Sequence, residues 1–272
     1  VVGLIATSIF VSAPTIYYFG VTANPYGILP VTSSLVALVV FLILKKKRDY
    51  GFLLALVFSF AIGIRPQDAM FLTPLYLLGY FYLKSKERII SIAALIFLTL
   101  FWFLPTTVVV GGIGQYFSYV ISFAKNDAAP NLSLQRIIQI LPTLIKGIYL
   151  TCGLASISLF VILKYIKNVV YPSELLGKSI KPYFLVFSFW ITPSLLFNLF
   201  IRSDHAAHQM AYLSAFILLV SYFLKKTFRK KTIVVVLVVV VVNLFTFFRD
   251  RDPQRVRPYV SQSFHYSEIT KN

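Results

Sequence analysis

Apolar runs of 14 to 22 residues follow one another along most of this chain, separated by short polar links. A helix needs about 20 apolar residues to cross a bilayer. The pattern predicts an all-α polytopic integral membrane bundle of about nine transmembrane spans. They fall near residues 1–19, 26–44, 51–64, 70–83, 89–110, 144–163, 183–201, 208–224 and 232–248. The third and fourth are short, about 21 Å each at the helical rise. They meet at the polar turn Gly63-Ile64-Arg65-Pro66-Gln67-Asp68. That predicts either a turn sunk below the membrane surface or an ordinary hairpin at the surface.

The longest link, 111–143, has structure of its own. Leu134, Ile137, Ile138 and Leu141 are spaced as one stripe of a helix. This predicts an amphipathic helix lying in the membrane interface. Tyr116, Phe117, Tyr119 and Phe123 suit the same level, and Lys125 to Pro130 reads as a turn. Val234 to Val242 is almost entirely Val and Leu and reads as a peripheral, lipid-facing helix.

Charge orients the pattern. Lys45, Lys46, Lys47 and Arg48 form one cluster, and Lys84, Lys86 and Arg88 the next. Lys164, Lys167, Lys178 and Lys181 follow, then Lys225, Lys226, Arg229, Lys230 and Lys231. These clusters occupy every second link, as the retention of basic loops in the cytoplasm requires. The opposite links hold only Arg65, Lys125, Arg136, Lys146 and Arg202. The tail, 249–272, is again basic and opposes an external placement of the last span's end. Residues 1–248 thus read as one membrane domain and 249–272 as a polar basic tail.

Composition agrees. Of the 272 residues 58% are apolar and 13% charged, against about a quarter charged in a soluble domain; mean hydropathy is +0.80. A net charge of +17 would suggest nucleic acid in a soluble protein. Here the basic residues sit at span ends, and the expected partner is membrane lipid, with no nucleic acid. The single cysteine, Cys152, lies inside an apolar run, so neither a disulfide framework nor a Cys-based metal set is possible. The chain opens Val1-Val2-Gly3 within an apolar run, and a larger protein with a preceding N-terminal part is expected.

Ionisable groups at membrane depth are costly and usually functional. Three polar clusters on the less basic side carry the candidate chemistry. Arg65, with Gln67 and Asp68, presents a planar fork suited to phosphate oxygens; alternatively, Arg65 and Asp68 pair to close the turn. Gly111 and Gly112, ahead of Tyr116, allow close backbone approach to a ligand or end a helix. Arg202, Asp204, His205 and His208 form the third cluster. The two imidazoles, three apart, could hold a divalent metal ion such as Zn or Mn with Asp204. Asp204 could equally be an N-cap at a solvated helix entrance.

The stretch from Ser12 to Leu83 resembles the GT-C superfamily of membrane glycosyltransferases. The resemblance is to bacterial and archaeal members akin to protein O-mannosyltransferases and the aminoarabinose lipid A transferase. Ala13-Pro14-Thr15-Ile16-Tyr17-Tyr18-Phe19-Gly20 resembles the end of an early family helix. Gly63-Ile64-Arg65-Pro66 matches a glycine-x-arginine-proline helix end, and Phe71-Leu72-Thr73-Pro74-Leu75-Tyr76 the following helix. Trp102-Phe103-Leu104-Pro105, leading to Gly111, Gly112 and Tyr116, is similar to the next external junction. The resemblance covers about residues 1–125; beyond that it is one of hydropathy.

The resemblance implies sugar transfer, with inversion, from a polyprenyl-phosphate-linked donor to an acceptor on the extracytoplasmic face of a prokaryotic plasma membrane. It implies Arg65 as the donor-phosphate contact, with the other residues of the three clusters lining the cavity. The family's catalytic acid lies in a first external loop that would precede this chain, so no residue here takes that role. A later family glycine-tyrosine motif is replaced by Ala211-Tyr212. Rival expectations are a transporter or flippase for a lipid-linked sugar, which needs polar residues through several spans, and a non-catalytic membrane subunit.

Overall fold

The computed structural model describes residues 1–14, 16, 25–45, 49–127, 138, 142, 145, 181–200 and 210–249. Every regular element among them is helical. In chain order they are α1 (Val2–Ser12), α2 (Leu29–Leu44), α3 (Gly51–Ile64), α4 (Asp68–Tyr82), α5 (Ser85–Val110), α6 (Ile113–Asp127), α7 (Lys181–Phe200), α8 (Met210–Phe228) and α9 (Thr232–Arg249). Short 3-10 turns at Pro25–Ile28 and Arg229–Lys231 lead into α2 and α9.

Proline and glycine set several boundaries. Ala13 is extended (φ −64°, ψ 124°), as a residue ahead of proline prefers. It ends α1 at Ser12, short of the span expected to reach residue 19. Arg65, ahead of Pro66, is likewise extended (φ −148°, ψ 95°) and closes α3. Gly111 ends α5 at φ 96° and Gly112 follows at φ 113°, a region of backbone that costs glycine little. Their amides donate to Val108 O (3.2 Å) and Thr107 O (2.7 Å), which satisfies the last carbonyls of α5.

α2 is central and touches α3, α4, α7 and α8. One core joins α2, α3, α4 and α7 through Val40, Leu54, Phe58, Leu75, Tyr76 and Trp190. A second joins α1, α8 and α9 through Ile9, Met210, Ile217, Val220 and Val239. Gly79 lets α4 approach closely: a Cβ there would stand 3.0 Å from Val40 and 3.2 Å from Leu54. Small residues at such crossings are how apolar helices gain contact when no hydrophobic difference drives them together.

α5 packs along α3, and α6 turns back beside α5. Tyr76 and Ser91 share a buried hydroxyl hydrogen bond of 2.8 Å between α4 and α5. Otherwise α5 is bare: only 6% of its most apolar stretch is buried. Ile89, Ile96, Phe97, Phe101, Val108 and Val109 all face outward. Among the described residues this one helix is long and apolar enough to cross a membrane; α1, α2, α3 and Tyr183–Phe197 of α7 are apolar but shorter. α9 presents Ile233, Val234, Leu237, Val238 and Val241 outward, the peripheral face read from its valine run.

The two ends of the bundle differ in charge. At one end Lys84 pairs with Asp49 at 2.6 Å, and the Gly51 amide donates to Glu87 Oε2 at 2.9 Å. Lys45 lies 5.0 Å from the Tyr183 ring centroid. The α2–α3 link, the α4–α5 link and the start of α7 therefore meet there. At the other end Phe71, near the start of α4, meets Phe197, near the end of α7, edge-on at 4.9 Å. Met210, opening α8, joins the same cluster, and Trp102 crosses Gly63 near the end of α3. Among the described residues, the basic links near 45 and 84 and the start of α7 thus lie at one end, and the Arg65 turn lies at the other.

Several expectations meet the coordinates differently. Lys125 to Asp127, read as part of a turn, belong to the last turn of α6. The helix 113–127 was not foreseen, although Ile113, Phe117, Val120, Ile121 and Ala124 carry helical spacing. Of the stripe at 134–141, Ile138 is helical and exposed; Leu134, Ile137 and Leu141 lie outside the described residues. So do the span expected at 144–163, apart from Ile145, which is helical and exposed, and the tail from 250.

Candidate functional site

The junction of α3 and α4 is built by Pro66. With Arg65 held extended, the chain turns at once: Asp68 N–H donates to Arg65 O (2.9 Å) and Ala69 N–H to Pro66 O (3.1 Å). Pro66 and Gln67 are exposed at the tip, while Arg65 and Asp68 fold inward. Both are almost fully buried, at 6% and 2% exposure. Their side chains form an ion pair, Arg65 Nη1 to Asp68 Oδ1, at 3.4 Å, longer than a charged hydrogen bond of good geometry. Asp68 opens α4, ahead of the apolar run at 70–83.

Depth follows from α5. Gly63 lies against Trp102: a Cβ at 63 would stand 3.0 Å from Trp102 Cδ1 and 3.2 Å from Cγ. α3 ends one residue later, at Ile64, whereas α5 runs on to Val110. Those eight further residues amount to about 12 Å of helix. The Arg65 turn therefore sits well below the far end of α5. α5 forms a wall that rises past the turn. The Trp102 Nε1 is buried and has no hydrogen-bond partner among the described residues.

Gly111 and Gly112 stand at the top of that wall, and their conformations are those of a helix end. Tyr116 follows on α6 and packs edge-on against Phe103 at 5.2 Å. The structure thus brings Arg65, Asp68 and the 111–116 segment to the same end. Arg65 and Asp68 touch, while Tyr116 is docked on the flank of α5. Arg202, Asp204, His205 and His208 lie outside the described residues. The helices bounding that link, α7 and α8, deliver its two sides, Phe197 and Met210, to the cluster that holds Phe71. No group of three His, Cys, Asp or Glu occurs among the described residues, so the metal expectation rests with that link.

Tyr212, in the position of the absent family motif, is buried and stacks edge-on with Phe216 at 5.3 Å. The Ala211 carbonyl accepts from Trp190 Nε1 at 2.9 Å. Sequence reasoning missed Trp102 as the neighbour of the Arg65 turn. The signal was available only as a glycine two residues ahead of Arg65 and an aromatic on the next long run. Two cavities, about 370 Å³ between α1, α2 and α8 and about 840 Å³ between α2, α7 and α8, lie elsewhere; neither is lined by Arg65 or Asp68.

The chain matches no family model, no curated protein and no solved structure.

Proposed function

We propose that this chain is a polytopic membrane protein of about nine spans that transfers a sugar from a polyprenyl-phosphate-linked donor to an acceptor at the extracytoplasmic surface. The basic links gathered at one end support an orientation with that end in the cytoplasm. The bare apolar surfaces of α5 and α9 are what lipid contact requires, since apolar patches of this extent are rare on soluble monomers.

The observation that carries the functional reading is the buried Arg65–Asp68 pair in a sunken turn on the non-basic end. A guanidinium in a low-dielectric site needs an anion. Asp68 serves in the resting state, and a donor phosphate takes over or shares the fork when bound. Arg202, Asp204, His205 and His208 belong in this reading to the acceptor side, with a divalent metal ion as their possible ligand.

The test is sugar transfer in membranes carrying the protein expressed from its whole reading frame. A polyprenyl-phosphate-linked hexose is the donor, and wild type is compared with Arg65→Lys at equal expression. Wild-type transfer that drops in Arg65→Lys is expected. Equal rates in both would reduce Arg65 to a turn residue and remove the site.

A further inference from the structure

The 840 Å³ groove between α2, α7 and α8 is a second place where chemistry and shape converge. Its walls are aromatic: Phe41, Tyr183, Phe187, Trp190, Tyr222 and Phe223 line it. The Trp190 N–H is already used by Ala211 O and the Ser34 hydroxyl by Pro30 O at 2.6 Å, so the walls ask for little but apolar contact. The groove is open along its length, where Leu38, Tyr183, Phe184 and Tyr222 are substantially exposed.

Its basic-end mouth carries a cation. Lys45 Nζ lies 5.6 Å from the Phe41 centroid and 5.0 Å from that of Tyr183, and both rings line the groove. Those rings stand 4.7 Å apart, so α2 and α7 hold the mouth together. Lys225 follows three residues after Tyr222 on α8, hence on the same side of that helix.

An apolar, aromatic-walled trough ending at positive charge is complementary to one class of molecule. We propose that this groove is a specific site for an anionic phospholipid. One acyl chain lies against the aromatic wall, and the headgroup phosphate sits at Lys45. The site is at the end opposite the Arg65 turn, so the lipid bound is not the sugar donor. The proposal rests on the membrane reading above and is independent of sugar transfer.

The experiment places the whole chain in nanodiscs of phosphatidylglycerol and phosphatidylcholine in equal parts, extracts it into mild detergent and counts retained lipids by native mass spectrometry. Retention of phosphatidylglycerol over phosphatidylcholine is expected. A basic side chain near an anionic surface is worth about fivefold in binding, so Lys45→Gln should lower that retention by about this factor. Lys45→Arg should keep it, and so should Lys86→Gln, a charge on α5 away from the groove. Leu38→Trp, which fills the groove from an exposed position, should abolish it without touching the charge. Equal retention of the two lipids by wild type would mean bulk lipid only and overturn the proposal. So would Lys45→Gln matching Lys86→Gln. A chain that does not enter the bilayer would overturn the membrane reading and this site with it.

Discussion

Arg65 and Asp68 are so fully enclosed that substituting them acts on folding and on ligand handling together. Removing one partner of a buried pair leaves an uncompensated charge, at a cost of about 3–5 kcal/mol. Arg65→Ala is therefore a poor probe of chemistry alone. Arg65→Lys keeps the charge and loses the fork, worth about 1.5–3 kcal/mol for a charged hydrogen bond, or one to two orders of magnitude in donor use. Asp68→Asn is expected to be milder for transfer. The pairing of these two residues could be read from a three-residue spacing around a proline. Their burial could not, because the residues packed at that end, Trp102 against Gly63 and Phe197 against Phe71, come from distant parts of the chain.

Helices were more legible than residues. The run 51–64 is α3 to the residue, and most other apolar runs match their helices within a few positions, because uninterrupted apolar segments have no competing conformation. α1 breaks at Ala13, which obeys Pro14 rather than the hydropathy on either side of it, and Pro14 and Ile16 are helical again. α6 was missed because its aromatics were weighed for membrane depth and its polar end for turn chemistry, ahead of its 3.6-residue periodicity. Two tests belong to elements. Phe97 and Phe101 on α5 face outward, so Phe97→Arg places a charge where lipid is expected, at about 2.5–3.5 kcal/mol on insertion scales. A glycosylation-reporter assay should show reduced insertion of that variant; insertion equal to wild type would argue that α5 does not lie in lipid. At the α3–α5 crossing, Gly63→Leu should cost about 1–3 kcal/mol by overpacking against Trp102, seen as a lower unfolding midpoint.

For the whole molecule, the two differently charged ends give the sharpest topological test. In a background lacking Cys152, cysteines replacing Asp127 and Asp204 should react with an impermeant label from outside, and cysteines replacing Lys46 and Lys230 only from the cytoplasm. Labelling of position 127 from the cytoplasmic side would invert the bundle.

α3 and α4 are 14 and 15 residues long, about 21–22 Å of helix against a hydrocarbon core of about 30 Å. α3 also shows Phe52, Leu56 and Phe60 to the exterior, so the shortfall is not hidden inside the protein. A bilayer meeting that face has to thin by several ångströms or leave polar termini in hydrocarbon, at fractions of a kcal/mol per ångström. The neighbouring α5 carries an apolar run over 89–110, about 33 Å of helix, a slight excess met by tilt or by local thickening of the bilayer. The molecule would thus carry a permanent dimple beside a ridge, with the Arg65 turn at the bottom of the dimple. Water and phosphate would then reach it without crossing the full depth of one leaflet. Bilayers of 14-carbon chains should accommodate it better than bilayers of 22-carbon chains. At a fixed headgroup composition, its thermal stability should follow membrane thickness.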